Sequence, residues 1–244
     1  MILVSKSQIK LITSLQQKKY RAKLGLFIAE GPKVIHELLN AGATLRSLYT
    51  SDKRLFDVGA IQIVSDKELS KISFLKNANN SVAIFEIPKK ENKVSNSLTI
   101  ALDAIRDPGN LGTIIRLCDW FGLTQIICSK DTVDCYNPKV IQATMGSIAR
   151  VNINYTDLST YFLKTKIPVY VGVMDGNNIY KENLPEKAII VLGNEANGIS
   201  EEIMNLATHK IAIPQFGKIQ ATESLNVATA TAILLSEFSR STEL

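Results

Sequence analysis

Apolar positions in the first ninety residues follow a helical and then an extended rhythm. Ile9, Ile12 and Leu15 recur near the 3.6-residue period and predict a helix from about Ser5 to Tyr20. After the short apolar run LFIAEG, the segment PKVIHELLNAG predicts a second helix. Pro32 stands at its start and Gly42 past its end, where helix termini favour those residues. The runs LRSLYT, AIQIVS and SVAIFEI read as short strands and complete a small α/β unit. Residues 88–97, PKKENKVSNS, are polar, open on Pro88 and lack any period. They predict a boundary that divides the chain into a domain over 1–90, a linker over 91–97 and a second domain over 98–244.

Beyond the boundary the pattern alternates. LTIALD, TQIICS, PVYVGVM, AIIVLG and KIAIP are β-branched-rich apolar runs, most of them separated by helix-like stretches. Such alternation predicts an α/β fold with a mostly parallel sheet covered by helices. Ligands bind beyond the carboxyl ends of such strands, so the loops after Asp103, Gly193 and Pro214 are the places to search.

Three stretches there carry candidate chemistry. In RDPGNLGTIIRLCDWFG, residues 106–122, turn residues lead into a helix expected from about Gly112 to Phe121. Arg116 falls on its polar side with Asp119 and Trp120, opposite Ile114, Leu117, Cys118 and Phe121. Two roles are open to it: a surface ion pair with Asp119, or convergence with Asn110 and the free N–H groups of the helix start on an anionic ligand. In VLGNEANGIS, residues 191–200, an apolar strand delivers two glycines, Glu195, and Ser200 as a helix cap. In residues 211–238 a strand stops at Pro214, a polar loop follows, and SLN opens a helix whose small residues Ala228, Ala230 and Ala232 permit close packing in a core or against a second subunit. Neither a dinucleotide fingerprint nor a P-loop occurs, which weighs against a Rossmann-type oxidoreductase or conventional methyltransferase.

Composition narrows the class. Hydrophobic residues at 45% and charged ones at 21% suit a globular protein rather than a disordered or disulfide-rich one. Met1–Val4 is too short for a signal sequence, so a cytoplasmic protein without a membrane partner is expected. Cys118, Cys128 and Cys135 match no zinc spacing and read as core thiols; with only His36 and His209 besides, no metal is expected. Charge divides unevenly: residues 1–97 hold 16 Lys and Arg against 8 Asp and Glu, and the remainder 12 against 15. Lys6, Lys10, Lys18, Lys19, Arg21 and Lys23 stand together without an acid, a pattern that suits either an RNA backbone or a solvated helix face.

In this order, LDAIRDPGNLGTIIRLCDWFG, VLGNEANGIS and IPQFGKIQATESLNVATATAI resemble the three motifs of the SpoU/TrmH family of RNA ribose 2′-O-methyltransferases, of the SPOUT class. LFIAEGPKVIHELL resembles the accessory RNA-substrate-binding domain of that family, a ribosomal-protein-like α/β fold. The resemblance implies a C-terminal trefoil knot, a homodimer with sites at the subunit interface, and S-adenosylmethionine held by Leu192, Gly193, Gly198, Ile213, Pro214, Leu225 and Asn226. It also implies catalytic roles for Arg116, Asn110, Glu195, Ser224 and Asn226, and RNA as partner, ribosomal RNA favoured over tRNA. Six residues separate Gly217 from Ser224, more than many members have, and Ala228 stands where serine is frequent. A guanidinium has no acceptor for a proton, so Arg116 suits gripping the adjacent phosphate and steadying an alkoxide, with the phosphate or Glu195 taking the proton. Asn110 and Asn226 would order the loops, and Ser224 would cap the last helix. The competing expectation is a non-catalytic RNA-binding or ribosome-assembly protein on the same fold.

Overall fold

The computed structural model describes residues 3–89, 98–217, 219 and 223–240; the linker expected at 91–97 lies outside the described residues. In chain order the elements are α1 (Lys6–Ser14), α2 (Lys18–Leu24), β1 (Leu26–Glu30), α3 (Pro32–Asn40), β2 (Leu45–Thr50), β3 (Ile61–Ile63), α4 (Asp66–Ser70) and β4 (Ser81–Glu86). They continue with β5 (Thr99–Leu102), α5 (Pro108–Trp120), β6 (Gln125–Ser129), α6 (Pro138–Thr144), β7 (Asn152–Thr156) and α7 (Leu158–Lys164). The last are β8 (Val169–Asn178), β9 (Ile189–Leu192), α8 (Glu201–Asn205), β10 (His209–Ala212) and α9 (Val227–Arg240). Among the described residues no helix is long and apolar enough to cross a membrane.

These elements form two compact units, one of residues 1–91 with Asp134–Arg150 and the other of residues 92–133 with Val151–Leu244. In the first, the sheet order is β1-β4-β2-β3, antiparallel except for the parallel β2–β3 pair. Its core gathers Ile12, Leu15, Ile28, Val64 and Ile84. Helix α6 falls within the 98–244 stretch yet belongs to this unit: it packs on β1, and Tyr136 just before it sets its ring 5.0 Å from that of Phe27.

The single helix expected from Ser5 to Tyr20 is two. A capping box closes its start: Ser5 accepts from the N–H of Gln8, and the Gln8 side chain accepts from the N–H of Ser5. At the other end Arg21 folds back and donates to the carbonyls of Leu15 (2.8 Å) and Gln16 (2.9 Å), which the end of α1 leaves open.

The second unit is a six-stranded sheet of order β10-β8-β9-β5-β6-β7 in which every neighbouring pair is parallel. Edge strand β7 was not among the sequence expectations, because NINYT alternates Asn and Ile without a sustained apolar run. Its core joins Ala101, Ile127, Val171, Ile189 and Val191 of the strands to Leu158, Phe162 and Ile203 of the helices. From β5 the chain builds outward through β6 and β7, and then returns to build the other side. The reversal lies between β5 and β9, and the crevice beyond their carboxyl ends is where such sheets bind ligands. Partner positions in β10 jump from Val171 to Asn177 of β8, skipping residues 172–176. A side chain at Gly176 would come within 2.5 Å of the Ile211 backbone, so glycine is required for that close crossing.

Candidate active site

Three loops converge beyond the carboxyl ends of β5, β9 and β10, all in the second unit. The first opens α5 earlier than Gly112: Asp107 caps the helix by accepting from the N–H of Asn110 at 2.8 Å, and Pro108 takes the first helical position, where its missing N–H is harmless. Asn110 therefore sits in the first turn of α5 rather than in a preceding loop. The second is 193–200, where Asn194 and Gly198 pair both N–H groups with each other's carbonyls at 2.8–2.9 Å. A side chain on Gly193 would overlap the Gly198 carbonyl and the Ile199 nitrogen, so only glycine lets the two strands of this loop close. The third runs from Ile213 to the start of α9.

These loops surround a cavity of about 1120 Å³. All seven residues expected at the cofactor, Leu192, Gly193, Gly198, Ile213, Pro214, Leu225 and Asn226, line it, together with Glu195 and Ser224. Gly172, Val173 and Met174, from the segment that β10 skips, form part of its wall.

At the cavity lies a directional chain of amides. Asn226 accepts on Oδ1 from the N–H groups of Ala228 (3.0 Å) and Thr229 (3.2 Å), so it, not Ser224, caps α9. Backbone N–H groups can only donate, which fixes the Asn226 amide and turns its Nδ2 toward Asn110 Oδ1 at 2.9 Å. Asn110 is fixed in turn, and its Nδ2 donates to Glu195 Oε1 at 2.6 Å. Glu195 is exposed and its Oε2 stands outside this chain of bonds. Helix α9 thus sets the orientation of a carboxylate through two side chains, an arrangement suited to holding or receiving a proton from a hydroxyl.

Arg116 is not part of that group. It is exposed on α5, does not line the cavity, and among the described residues makes no ion pair, with Asp119 or any other acid. Trp120, one turn further on, is 84% exposed.

Of the six expected RNA contacts, Lys6, Lys10, Lys18, Lys19 and Lys23 are exposed in the first unit. Arg21 is a correction. Only 2% exposed, it directs four of its five N–H groups at Asp134 Oδ2 (3.0 Å from Nε, 2.5 Å from Nη2) and at the carbonyls of Leu15 and Gln16, and its burial keeps it from a phosphate. The three cysteines are buried and form no disulfide, and burial pushes the Cys118 thiol well above its ordinary range. Among the described residues no group of three His, Cys, Asp or Glu is placed to hold a metal.

Two residues at the site escaped the sequence reading: Asp103 and Asn194, each 8% exposed and each bonded across the gap between the first two loops. Their polar side chains stand one and two residues past apolar strand ends, in TIALD and IIVLGN, and that was the available signal.

Comparison with known proteins gives the geometry a context. Residues 97–236 match the SpoU rRNA Methylase family, and residues 6–83 match the MRM3-like substrate binding domain. A 23S rRNA (guanosine(2553)-2′-O)-methyltransferase, RlmP of Bacillus subtilis, is 27% identical over 91% of both chains. A TrmH-family protein from Porphyromonas gingivalis superposes with a TM-score of 0.88 at 36% identity, over 99% of this chain and 100% of that one. The AdoMet-bound rRNA methyltransferase from Sinorhizobium meliloti has a TM-score of 0.84 at 29% identity, over 98% and 97% of the two chains.

Proposed function

Because the chain belongs to the SpoU rRNA Methylase family, we propose that it transfers a methyl group from S-adenosylmethionine to the ribose 2′-hydroxyl of one nucleotide in RNA, ribosomal RNA rather than tRNA. The observation that carries the reading is the cavity at the switch point, with the Asn226–Asn110–Glu195 chain beside it. Its volume of about 1120 Å³ accommodates a ligand the size of the cofactor. Leu192, Ile213 and Leu225 offer apolar surface to an adenine, and the bare backbone of Gly193 offers peptide groups that a side chain would cover. When bound, the cofactor supplies both the electrophilic methyl group and the leaving thioether, so no metal is required.

The chain's own residues handle the nucleophile. Glu195, held by Asn110, receives or orients the proton of the 2′-hydroxyl. Arg116 grips the neighbouring phosphate through its two-pronged guanidinium and steadies the developing alkoxide. Since Arg116 and Trp120 are exposed on α5 and neither lines the cavity, the reading includes a homodimer in which Arg116 of one copy serves the cavity of the other. A C-terminal trefoil knot belongs to the same proposal. Its support is the close crossing of Gly176 with Ile211 and the register jump in β10. Lys6, Lys10, Lys18, Lys19 and Lys23 would hold folded RNA through its phosphates.

Methyl-labelled S-adenosylmethionine, supplied with rRNA or tRNA from cells lacking the protein, tests the reading. Label on the ribose of one rRNA nucleotide is the expected outcome. Label on tRNA changes the substrate; cofactor binding without label points to a precursor particle. Neither label nor cofactor binding leaves a non-catalytic RNA-binding protein. Because α6 packs on β1, removing residues 1–90 would strip α6 of its support. Reversing the five exposed lysines to Glu is the cleaner test of the RNA contact: KM for RNA should rise while cofactor affinity stays constant.

A further inference from the structure

Between the first two loops of the site run two partly buried cross-links, one made by Asp103 and one by Asn194, which also lines the cavity. Asn194 donates from Nδ2 to the carbonyl of Ala104 at 2.8 Å. Its Oδ1 accepts from the N–H groups of Ala196 (2.9 Å) and Asn197 (3.2 Å), so one side chain both shapes its own turn and reaches the other loop. In the opposite direction, Asp103 Oδ2 accepts from the N–H of Ser200 at 2.8 Å, at the far end of the same loop. Asp103 also donates its N–H to the carbonyl of Leu192 at 2.9 Å, so the two loops leave the sheet already in register.

Ala104 itself has a φ of 54°, left-handed backbone that costs a residue with a Cβ about 1–2 kcal/mol. It is gripped on both sides: its N–H donates to Ser129 Oγ at 2.9 Å, and its carbonyl receives Asn194. Strain of this kind persists where neighbours over-determine it, and it clusters at functional sites. Here the strained residue lies six positions before Asn110 and opens the turn that brings Asn110 to Glu195. The loop that Asn194 and Asp103 hold carries Glu195 itself.

We propose that Asn194 and Asp103 are positioning residues for the methyl transfer: by clamping residues 193–200 to the left-handed turn at Ala104 they set the Asn110–Glu195 bond and the peptide of Gly193. The proposal deepens the reading given above and rests on it for its kinetic readout. The clamp has two separable parts. The local turn of the loop needs only the Asn194 oxygen, whereas the link to Ala104 needs its N–H. Asn194→Asp keeps the first and replaces the second with an oxygen facing a carbonyl.

The test compares Asn194→Ala, Asn194→Asp, Asp103→Ala and Asp103→Asn in the full chain. Asn194→Asp should lose as much kcat as Asn194→Ala, on the order of 10- to 100-fold, because misplacement of a reacting group by about an ångström has that effect. KM for RNA should change little. Asp103→Asn, which still accepts from Ser200, should retain most of the kcat that Asp103→Ala loses. Amide hydrogen exchange of Asn194→Asp should rise in residues 105–110 as well as in 195–200. Near-normal kcat in Asn194→Asp, or faster exchange confined to 195–200, overturns the clamp. Absence of both methyl transfer and cofactor binding in the unaltered protein would refute the methyl-transfer reading alone, and the exchange pattern would still decide the clamp.

Discussion

Arg21 in the first unit and Arg116 in the second are the same side chain put to opposite uses. Arg21 is buried, and four of its five N–H groups are directed at Asp134 and two helix-end carbonyls. Arg116 is exposed, and no acid among the described residues pairs with it. The acids repeat the contrast. Glu30 is 4% exposed and accepts from the Ser73 hydroxyl (2.5 Å) and the Phe74 N–H (2.7 Å), whereas Glu195 is exposed with one oxygen outside the amide chain. A charged group whose hydrogen-bonding capacity is filled by its own chain holds structure; one left open by its own chain is available to a ligand. Net charge over a segment does not separate the two, and for that reason the basic N-terminal cluster took in a buried arginine.

The largest expected effect is on stability, at Arg21. Removing one partner of a buried ion pair leaves the other charge uncompensated and destabilises by about 3–5 kcal/mol. Arg21→Ala should therefore lower the denaturation midpoint sharply, and Arg21→Lys should recover only part of the loss, since one ammonium cannot serve Asp134, Leu15 and Gln16 together. An Arg21→Ala protein with unchanged stability and weakened RNA binding would return Arg21 to the RNA surface and end the contrast.

Arg116→Lys should do the reverse. Losing the two-pronged contact to a transition-state charge is expected to lower kcat on the order of 10²–10³-fold, as removal of one such donor does elsewhere. Stability should move by no more than about 0.5 kcal/mol, as for other exposed substitutions. Near-normal turnover would remove Arg116 from the reaction. If the homodimer reading holds, mixing Arg116→Lys with an inactive Glu195→Gln protein should restore activity in the mixed dimers, because one cavity then has both an intact arginine and an intact glutamate.

How far the sequence foretold this site depended on whether a residue acts locally or across the fold. The strands β5, β6, β8, β9 and β10 were visible as apolar runs, and all seven expected cofactor residues line one cavity. Asp107–Pro108 was also legible as a cap followed by a first-turn proline, yet the glycines after it drew the expected start of α5 to Gly112. Long-range partners left no local trace. Nothing between Arg21 and Asp134, 113 positions apart, hints at their ion pair. Likewise the bond between Asn110 and Asn226 spans 116 positions, and no period or spacing encodes it. Ser224 was expected to cap α9 because serine is a good cap by type, but Asn226 is the residue next to the helix.

Asn226 permits a finer test of open against filled capacity, because it is both at once. Its oxygen is spent on α9 and its amide on Asn110. Asn226→Ala removes both and should cost about 1 kcal/mol of stability along with activity. Asn226→Asp keeps the cap, and its negative charge suits a helix start, but it cannot donate to Asn110. Its stability should therefore match that of the unaltered protein while kcat falls about tenfold, the scale of a misaligned proton acceptor. Equal kcat with intact stability would mean that Asn226 serves the helix alone.

The smallest effect concerns Glu30, and its sign follows from burial. Burial raises the Glu30 carboxyl above its usual range, and the hydrogen bonds from Ser73 and Phe74 pull it only part of the way back. The folded protein therefore binds this proton more tightly than the unfolded chain. The resulting stability is complete below the unfolded value of about 4.3 and is lost as pH rises through the raised folded value. Glu30→Gln cannot titrate. Thermal melts of the two proteins across the acid to neutral range should show the unaltered protein gaining on the variant as pH falls. A constant difference would mean that Ser73 and Phe74 fully offset the burial, weakening the contrast between the two units.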